Sequence, residues 1–351
     1  MINGFITLTD GTKIEITDKL IVANSLSIRM STTSSEFDVG SFNAAVMEIK
    51  IIDDEALNHD FDGAEIALNE TTGKTEEDKT ETSLGLYYVS GEKTVRNRRI
   101  VKLTAQDKSV FFDGEINEAD RNTEEYTPLE VLNAACTAAG VTLATTDLSA
   151  LPNNDVKINL KSVSIQTYRD AVMWVAQLLC SNAVINRVGE LEIRRAKYIS
   201  EEGTTTIIHD YVSNGSDRVD IQFSDTRTYI KYLTAYSGKE VKEYVSNVTP
   251  SDTQIRAGVF SLPLNPILES KTVEECDTIN EDWHDYIDTF ATRYVKATMF
   301  SNTKIKLGDT VSFKGGKVDV RKNIVGVVTS INWRYRGYTT VTCTAPYAAK
   351  S

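Results

Sequence analysis

The chain has 351 residues, 41 % of them apolar, with 50 acids against 38 bases and a net charge of −12. That length predicts two or three domains with ordinary buried cores. The acidic balance argues against a surface built to neutralise nucleic-acid phosphates, although a nucleic acid could still slide past without being held.

The first ~120 residues read as strands. Residues 5–8 and 14–16 flank Thr9-Asp10-Gly11-Thr12, and the Asp-Gly pair predicts a type I′ hairpin turn. Leu26, Ile28 and Met30 alternate with Ser27 and Arg29, as a half-buried strand should. Residues 46–51, 84–89 and 99–103 are further strands. Residues 69–83 contain no apolar side chain. They read as a surface loop or the tip of a long hairpin, either solvated or a contact arm to a neighbouring subunit.

The pattern changes near Tyr126. Thr127-Pro128-Leu129-Glu130 reads as a helix start, with Thr127 as N-cap, Pro128 at N1 and Glu130 closing a capping box. Leu129, Leu132, Ala135, Cys136 and Ala139 share one face, and Gly140 is the stop. A short strand is expected over 156–160 and a second helix over 167–180. A hairpin follows, 183–186 and 191–193 around Arg187-Val188-Gly189-Glu190.

Strands return over 219–223 and 229–236. A helix is expected over 273–296, with Cys276, Ile279, Trp283, Ile287, Phe290 and Tyr294 on one face. Residues 305–313, 324–333 and 338–343 close the chain as strands, with Gly315-Gly316 as a hairpin turn. The order β, α/β, β belongs to no enzyme superfold by default.

Chemistry is sparse. Cys136, Cys180, Cys276 and Cys343 lie far apart without a CxxC pair and read as small buried hydrophobes, with neither disulfide framework nor zinc site. Residues 1–8 lack the basic start of a signal peptide, and no apolar run nears the ~20 residues of a membrane span. The expectation is synthesis in a reducing cytosol.

His59, His209 and His284 are isolated. His59-Asp60-Phe61-Asp62 could feed a metal, but nothing nearby completes a ligand set. HExxH, GxSxG, P-loop and GxGxxG patterns are absent. Glu124-Glu125 and Asp53-Asp54 are adjacent acids on loops, not the facing pair that glycoside hydrolysis needs. Residues 113–125 read as a solvated acidic connector. The expectation is therefore no enzyme, no catalytic, cofactor-binding or metal-binding residue, and no cofactor.

Two segments stand out. Residues 274–288 carry seven acids (Glu274, Glu275, Asp277, Glu281, Asp282, Asp285 and Asp288) and no Lys or Arg. They are either a solvated helix face or a docking surface for a basic partner. Trp333-Arg334-Tyr335-Arg336-Gly337-Tyr338 interleaves aromatics with bases and reads as a hairpin tip, plain or in contact with a neighbour.

The segments 167–179 (TYRDAVMWVAQLL) and 183–193 (AVINRVGELEI) have the form of a YRD…AQ helix followed by an A-x-I-x-R-x-G-x-L-x-I hairpin. With Gly308-Asp309-Thr310-Val311, they resemble baseplate hub and tail-associated proteins of phage tails and of prophages from Gram-positive bacteria. The layout of 26–51 is similar. In physical terms the helix packs on the hairpin, Gly189 allows its turn, and Val311 and Phe313 point inward.

The resemblance implies a mainly β chain with an α+β middle. Two tube-type β-barrel domains (1–122, and 201–351 with an inserted helix) are joined by a small α/β unit (123–200). It implies a structural hub subunit that forms a homotrimeric, pseudo-sixfold ring joining a hexameric tail tube to a threefold spike. Other baseplate proteins and a tape-measure protein are further candidate partners; no membrane and no specific nucleic-acid binding are expected. An acidic lumen would keep DNA from stalling. The site of action would be the baseplate of a virion or tail-like particle assembled in the bacterial cytoplasm. The sequence stops at Ser351, soon after the last barrel strand. A minimal hub is therefore expected, with spike or lytic activity on another chain, in a contractile tail or a phage-tail-like bacteriocin. The alternatives are a cell-wall hydrolase and a carbohydrate-binding tail-associated protein.

Overall fold

The computed structural model describes the chain except residues 33–37, 54–58, 74, 76, 96–98, 123–124, 196–208, 213–219, 224–226, 247–254, 288–289, 293, 301, 315–323, 345–346 and 349–351. The expected turn at Gly315-Gly316 therefore lies outside the described residues.

β1 (Ile2–Thr7) and β2 (Lys13–Thr17) form the first hairpin. Its turn is not type I′. The Leu8 N–H donates to Thr12 O (2.8 Å) and the Gly11 N–H to Leu8 O (2.9 Å), and of the loop residues only Gly11 has positive φ, 88°. One left-handed glycine closes a three-residue loop, so Asp10 need not be strained. The turn after Asn186 repeats this device with Gly189 at φ 83°.

β3 (Ser27–Ser31), β4 (Val46–Ile52), β5 (Glu65–Thr72), β6 (Thr80–Val95) and β7 (Ile100–Gln106) complete the N-terminal set, ordered β2-β1-β5-β6-β7-β4-β3. After β2 the chain returns to β4: the Val22 N–H donates to Lys50 O (2.9 Å) and the Ile52 N–H to Leu20 O (2.7 Å). That return closes a ring of strands around Ile6, Ile16, Met47, Ile49, Phe61 and Leu103, all fully buried. The polar stretch 69–83 is the end of the long β5–β6 hairpin, one of the two expected readings, rather than a free surface loop. β5 and β6 pair polar on polar as far as Thr72↔Thr80. The ladder bonds hold this hairpin where no apolar side chain marks it.

The middle unit starts with a 3₁₀ turn, Lys108–Phe112, and short α1 (Glu118–Arg121), so the acidic connector is partly helical. α2 (Pro128–Ala139) starts at the predicted Thr127–Glu130 capping box and ends on Gly140 at φ 64°. α3 (Tyr168–Leu178) has a second capping box, Thr167 with Asp170. It packs on β8 (Ser181–Ile185), which pairs with β9 (Leu191–Arg195). The strand expected over 156–160 reduces to one bridge, Tyr126↔Ile158. The core of this unit draws in Phe42 from before it and Ile267, Leu268, Cys276 and Ile279 from after it.

The last part comprises β10 (His209–Val212), β11 (Asp220–Phe223), β12 (Arg227–Ser237), β13 (Glu240–Val245) and β14 (Ile255–Ser261). α4 (Val273–Ile287), β15 (Phe290–Thr292), β16 (Tyr294–Phe300) and β17 (Thr310–Lys314) follow. β18 (Ile324–Arg334), β19 (Tyr338–Thr344) and β20 (Tyr347–Ala348) end it. The helix expected to run to 296 ends at Ile287. Phe290 and Tyr294 belong to strands, because a helical spacing of aromatics can continue by chance into an extended segment. The strand expected from 305 starts only at Thr310, after Gly308 turns the chain at φ 78° and donates its N–H to Val328 O (2.8 Å). Val311 and Phe313 are fully buried, as expected.

β18 joins the two ends of the chain. Its first half pairs with β17 and its second half with β3, placing Ile331 opposite Met30 and Trp333 opposite Ile28. Its other edge pairs with β19, then β16 and β11, and β10 adds parallel to β17. The result is a 13-stranded sheet spanning both β parts, with one core containing Ile28, Met47, Val295 and Trp333. The two β parts thus meet directly as well as through the middle unit.

A five-stranded sheet is separate: β12 has β13 and β15 on one side, parallel β14 on the other, and β20 beyond β15. α4 covers it with Trp283 and Ile287 against Leu233, Ala235 and Tyr244. The fold is mainly β with an α+β middle. No helix among the described residues is long and apolar enough to cross a membrane.

Candidate assembly surfaces

The outer face of the joined sheet follows from strand alternation. Across β7, β4, β3, β18, β19 and β16, cross-strand pairing aligns Thr104, Glu48, Ser27 and Arg334 in one row. Arg29, Asn332, Thr340 and Thr298 align in the next. Lys50 pairs across to Lys102, and Lys296 to Thr342. This face is rich in hydroxyls and amides, and among the described residues its cations Arg29, Lys50, Lys102, Lys296 and Arg334 outnumber the acids Glu48 and, opposite Thr298 on β11, Asp220. Glu48 is held by Arg29 at 3.2 Å and Lys102 at 3.5 Å. On a chain of net charge −12, the negative charge is therefore concentrated elsewhere.

α4 is one such place. Glu274, Glu275, Glu281, Asp282 and Asp285 are exposed, while Asp277 turns toward the small sheet. It accepts hydrogen bonds from Lys242 Nζ (2.8 Å) and Tyr244 OH (2.9 Å), which hold its carboxyl down to about 2. Asp288 lies outside the described residues. His284 is buried, and its Nε2 has no hydrogen-bond partner among the described residues.

The small sheet leaves its other face open. Val241, Val245 and Val259 are 59 %, 48 % and 63 % exposed, and pairing places Tyr232 between Val245 and Val259. Its two edges differ. β13 carries Glu240, Lys242 and Glu243, the charge that keeps an edge from recruiting strands. β14 carries only Arg256.

The 333–338 segment is a hairpin tip, as expected, but half of it is core. Trp333 and Tyr335 are buried, and Tyr335 OH and Arg336 both reach Asp18, at 2.7 and 3.2 Å. Tyr338 stays exposed and stacks on Phe300 with ring centroids 5.8 Å apart. Sequence reading singled out the tip but missed Phe300, since only the β16–β19 register brings it alongside.

His59 Nδ1 lies 2.9 Å from Asp53 Oδ2 and edge-on to Phe61. His209 pairs through its backbone in β10. Among the described residues, no three potential metal ligands gather. All four cysteines are buried and free, and burial pushes the Cys136 thiol up to about 12. Asp107 is likewise raised by burial, and its carboxylate accepts the N–H groups of Ala45 and Ser109, anchoring the 3₁₀ turn. Arg169 pairs with Asp113 and donates to Phe42 O and Ser109 O, tying the YRD helix to the N-terminal part.

No family model matches the sequence, and a search of the curated proteins finds no match. Solved structures do match. The 43 kDa tail protein of prophage MuSo2 from Shewanella oneidensis aligns over 100 % of this chain and 99 % of its own, with TM-score 0.58 and 11 % identity. Prophage tail protein gp18 from Listeria monocytogenes EGD-e aligns over 98 % and 94 %, with TM-score 0.54 and 11 % identity. A tail protein from Neisseria meningitidis MC58 aligns over 99 % of both chains, with TM-score 0.52 and 13 % identity. From end to end, the chain has the fold of prophage tail proteins.

Proposed function

We propose that this chain is a structural, non-enzymatic baseplate hub subunit, three copies of which form a pseudo-sixfold ring between a tail tube and a spike. The observation that carries the reading is the β3–β18 seam. It sets two strand sets side by side in one sheet, so each subunit offers two adjacent wall segments and three subunits offer six. The full-length likeness to prophage tail proteins supports the same reading. The two sets, divided near 122 and 200, are the tube-like domains of the proposal. Other baseplate proteins and a tape-measure protein are its further partners, in a phage tail or a tailocin. Should the outer face of the joined sheet line the bore, the bore is hydroxyl-rich and mildly cationic there. An acidic lumen would then have to come from other surfaces.

Native mass spectrometry tests the ring. The expected species is three times the 39.0 kDa chain mass, seen as a ring in negative-stain images with or without added tube protein. A chain that stays monomeric at tens of micromolar, and binds neither tube nor spike protein, overturns the reading.

A further inference from the structure

The three parts of the chain meet around a half-open cavity of about 190 Å³. β6 lines it from the N-terminal set, the β8–β9 hairpin from the middle unit, and Lys306-Leu307 from the C-terminal part. We propose that this cavity binds a small tetrahedral oxyanion of the phosphate type, held by Arg187 and Lys306 with Arg194 beside them.

Arg187 is the central group. It stands half-buried in the hairpin turn, and its Nη2 donates to Ile305 O at 2.9 Å. Its Nε and Nη1 make no hydrogen bond among the described residues, and neither is sealed from solvent. Arg187 also forms no ion pair among the described residues. Glu70 and Asp309 act on it only through space, since Glu70 is engaged by Thr303 Oγ1 and Asp309 by the Lys306 N–H. Burial pulls the Arg187 pKa below its ordinary value. A guanidinium withdrawn from water without a carboxylate is costly, and an anion in the cavity offsets that cost.

Two acids line the cavity as well, and both are engaged. The Asp107 carboxylate accepts the Ala45 and Ser109 N–H groups, and Glu192 accepts from Arg194 Nη2 at 3.0 Å. Gly308 makes room for Arg194, because a Cβ there would lie 2.7 Å from Arg194 Nη1. Lys306 is exposed at the cavity and pairs with no acid among the described residues. Arg187 and Lys306 are therefore the charges left for a ligand.

The size of the cavity limits what that ligand is. Clefts for drug-sized molecules hold roughly 300–1,000 Å³, so this smaller one suits an inorganic anion rather than a nucleotide. Cations on two separate segments suit a doubly charged tetrahedral anion better than one planar carboxylate, and the guanidinium fork matches phosphate oxygens. An anion seated there ties the hairpin to the 305–308 loop. The site lies within one subunit, so its failure would leave the ring reading untouched.

Isothermal titration calorimetry on the full chain tests it. Sodium phosphate, sodium acetate and adenosine monophosphate are compared at one ionic strength, balanced with chloride so that screening stays constant. Saturable binding of phosphate is expected, with a thermal midpoint that rises with phosphate concentration. Arg187→Met should weaken binding about 10-fold or more, and Lys306→Ala by a smaller factor. Lys306 is exposed, so its variant keeps the fold even where Arg187→Met does not. The proposal is overturned if phosphate does not bind, or if either variant, folded by circular dichroism, binds it as tightly as the wild type. Acetate that binds as tightly as phosphate overturns it too, and assigns the cations to a carboxylate of another chain. Tighter binding of adenosine monophosphate than of phosphate overturns the inorganic anion as occupant.

Discussion

The N-terminal and C-terminal strand sets feed one shared core from different distances along the chain. In the first, β4 and β7 alternate inward and outward without a break, and β1 to β7 lie within residues 2–106. In the second, the strands are drawn from residues 209–344, with α4 and four of the five strands of the small sheet inserted between β11 and β16. Its pairs join distant residues, such as parallel His209↔Val311. Short connections make a fold legible from local alternation. Long ones leave it to contacts that repay loop closure only when the whole sheet is formed.

The largest expected effect breaks the N-terminal set where it is tightest. Gly4 sits at φ 149° in β1, and a Cβ there would lie 2.1 Å from Ala67 O on β5. Gly4→Val combines a disallowed backbone with an overpacked strand pair, a loss of about 4–5 kcal/mol. Urea denaturation followed by far-ultraviolet circular dichroism measures it.

Trp333→Ala comes next, at about 3–4 kcal/mol. Trp333 is buried at the seam opposite Ile28, in the core common to both sets. The variant sharpens the comparison because it asks whether the sets fold separately. Fluorescence of Trp174 and Trp283 should move together with circular dichroism in one transition at lower urea. A C-terminal transition that separates from an unshifted N-terminal one would show two independent domains.

The caps, the 183–193 hairpin and the inward Val311 and Phe313 were readable because each rests on neighbours within a few residues. Thr127 caps Glu130 across one helical turn, and Gly189 lets Asn186 meet Glu190. The stems of the 69–83 hairpin were not readable, because backbone pairing rather than burial defines them. The end of α4 was missed because Phe290 and Tyr294 keep the helical spacing. The seam was invisible, since nothing in Ser27–Ser31 marks Ser330–Arg334 as its partner. Of the exposed Tyr338–Phe300 pair, sequence reading gave Tyr338 from the interleaved tip. Phe300 joins it only through strand register.

Asn153→Ala tests how the middle unit is held to the C-terminal part. Asn153 is buried at φ 57°, and its Nδ2 donates to Leu178 O and Ile279 O, both at 3.1 Å. Alanine loses both bonds, leaves the Leu178 carbonyl at the end of α3 without its donor and disfavours the left-handed backbone, a cost of about 2–3 kcal/mol. Hydrogen exchange should rise in α4 as well as in α3. Faster exchange in α3 alone would mean that the bond to Ile279 does not couple them.

The smallest effect is a pH dependence confined to the small sheet. Lys242, with Ser237 and Tyr244, lowers the Asp277 carboxyl to about 2 from an ordinary 3.8. The folded state thus holds the charged form better than the unfolded chain does. The stability this adds is present in full above pH 4 and drains away as the pH falls toward 2. Asp277→Asn should therefore melt below the wild type at pH 7, and the gap should close between pH 4 and pH 2. The shift is small because Asp277 is partly open to solvent, which screens the pair with Lys242. If the gap stays constant across that window, packing of Asp277 rather than its charge ties β13 to α4.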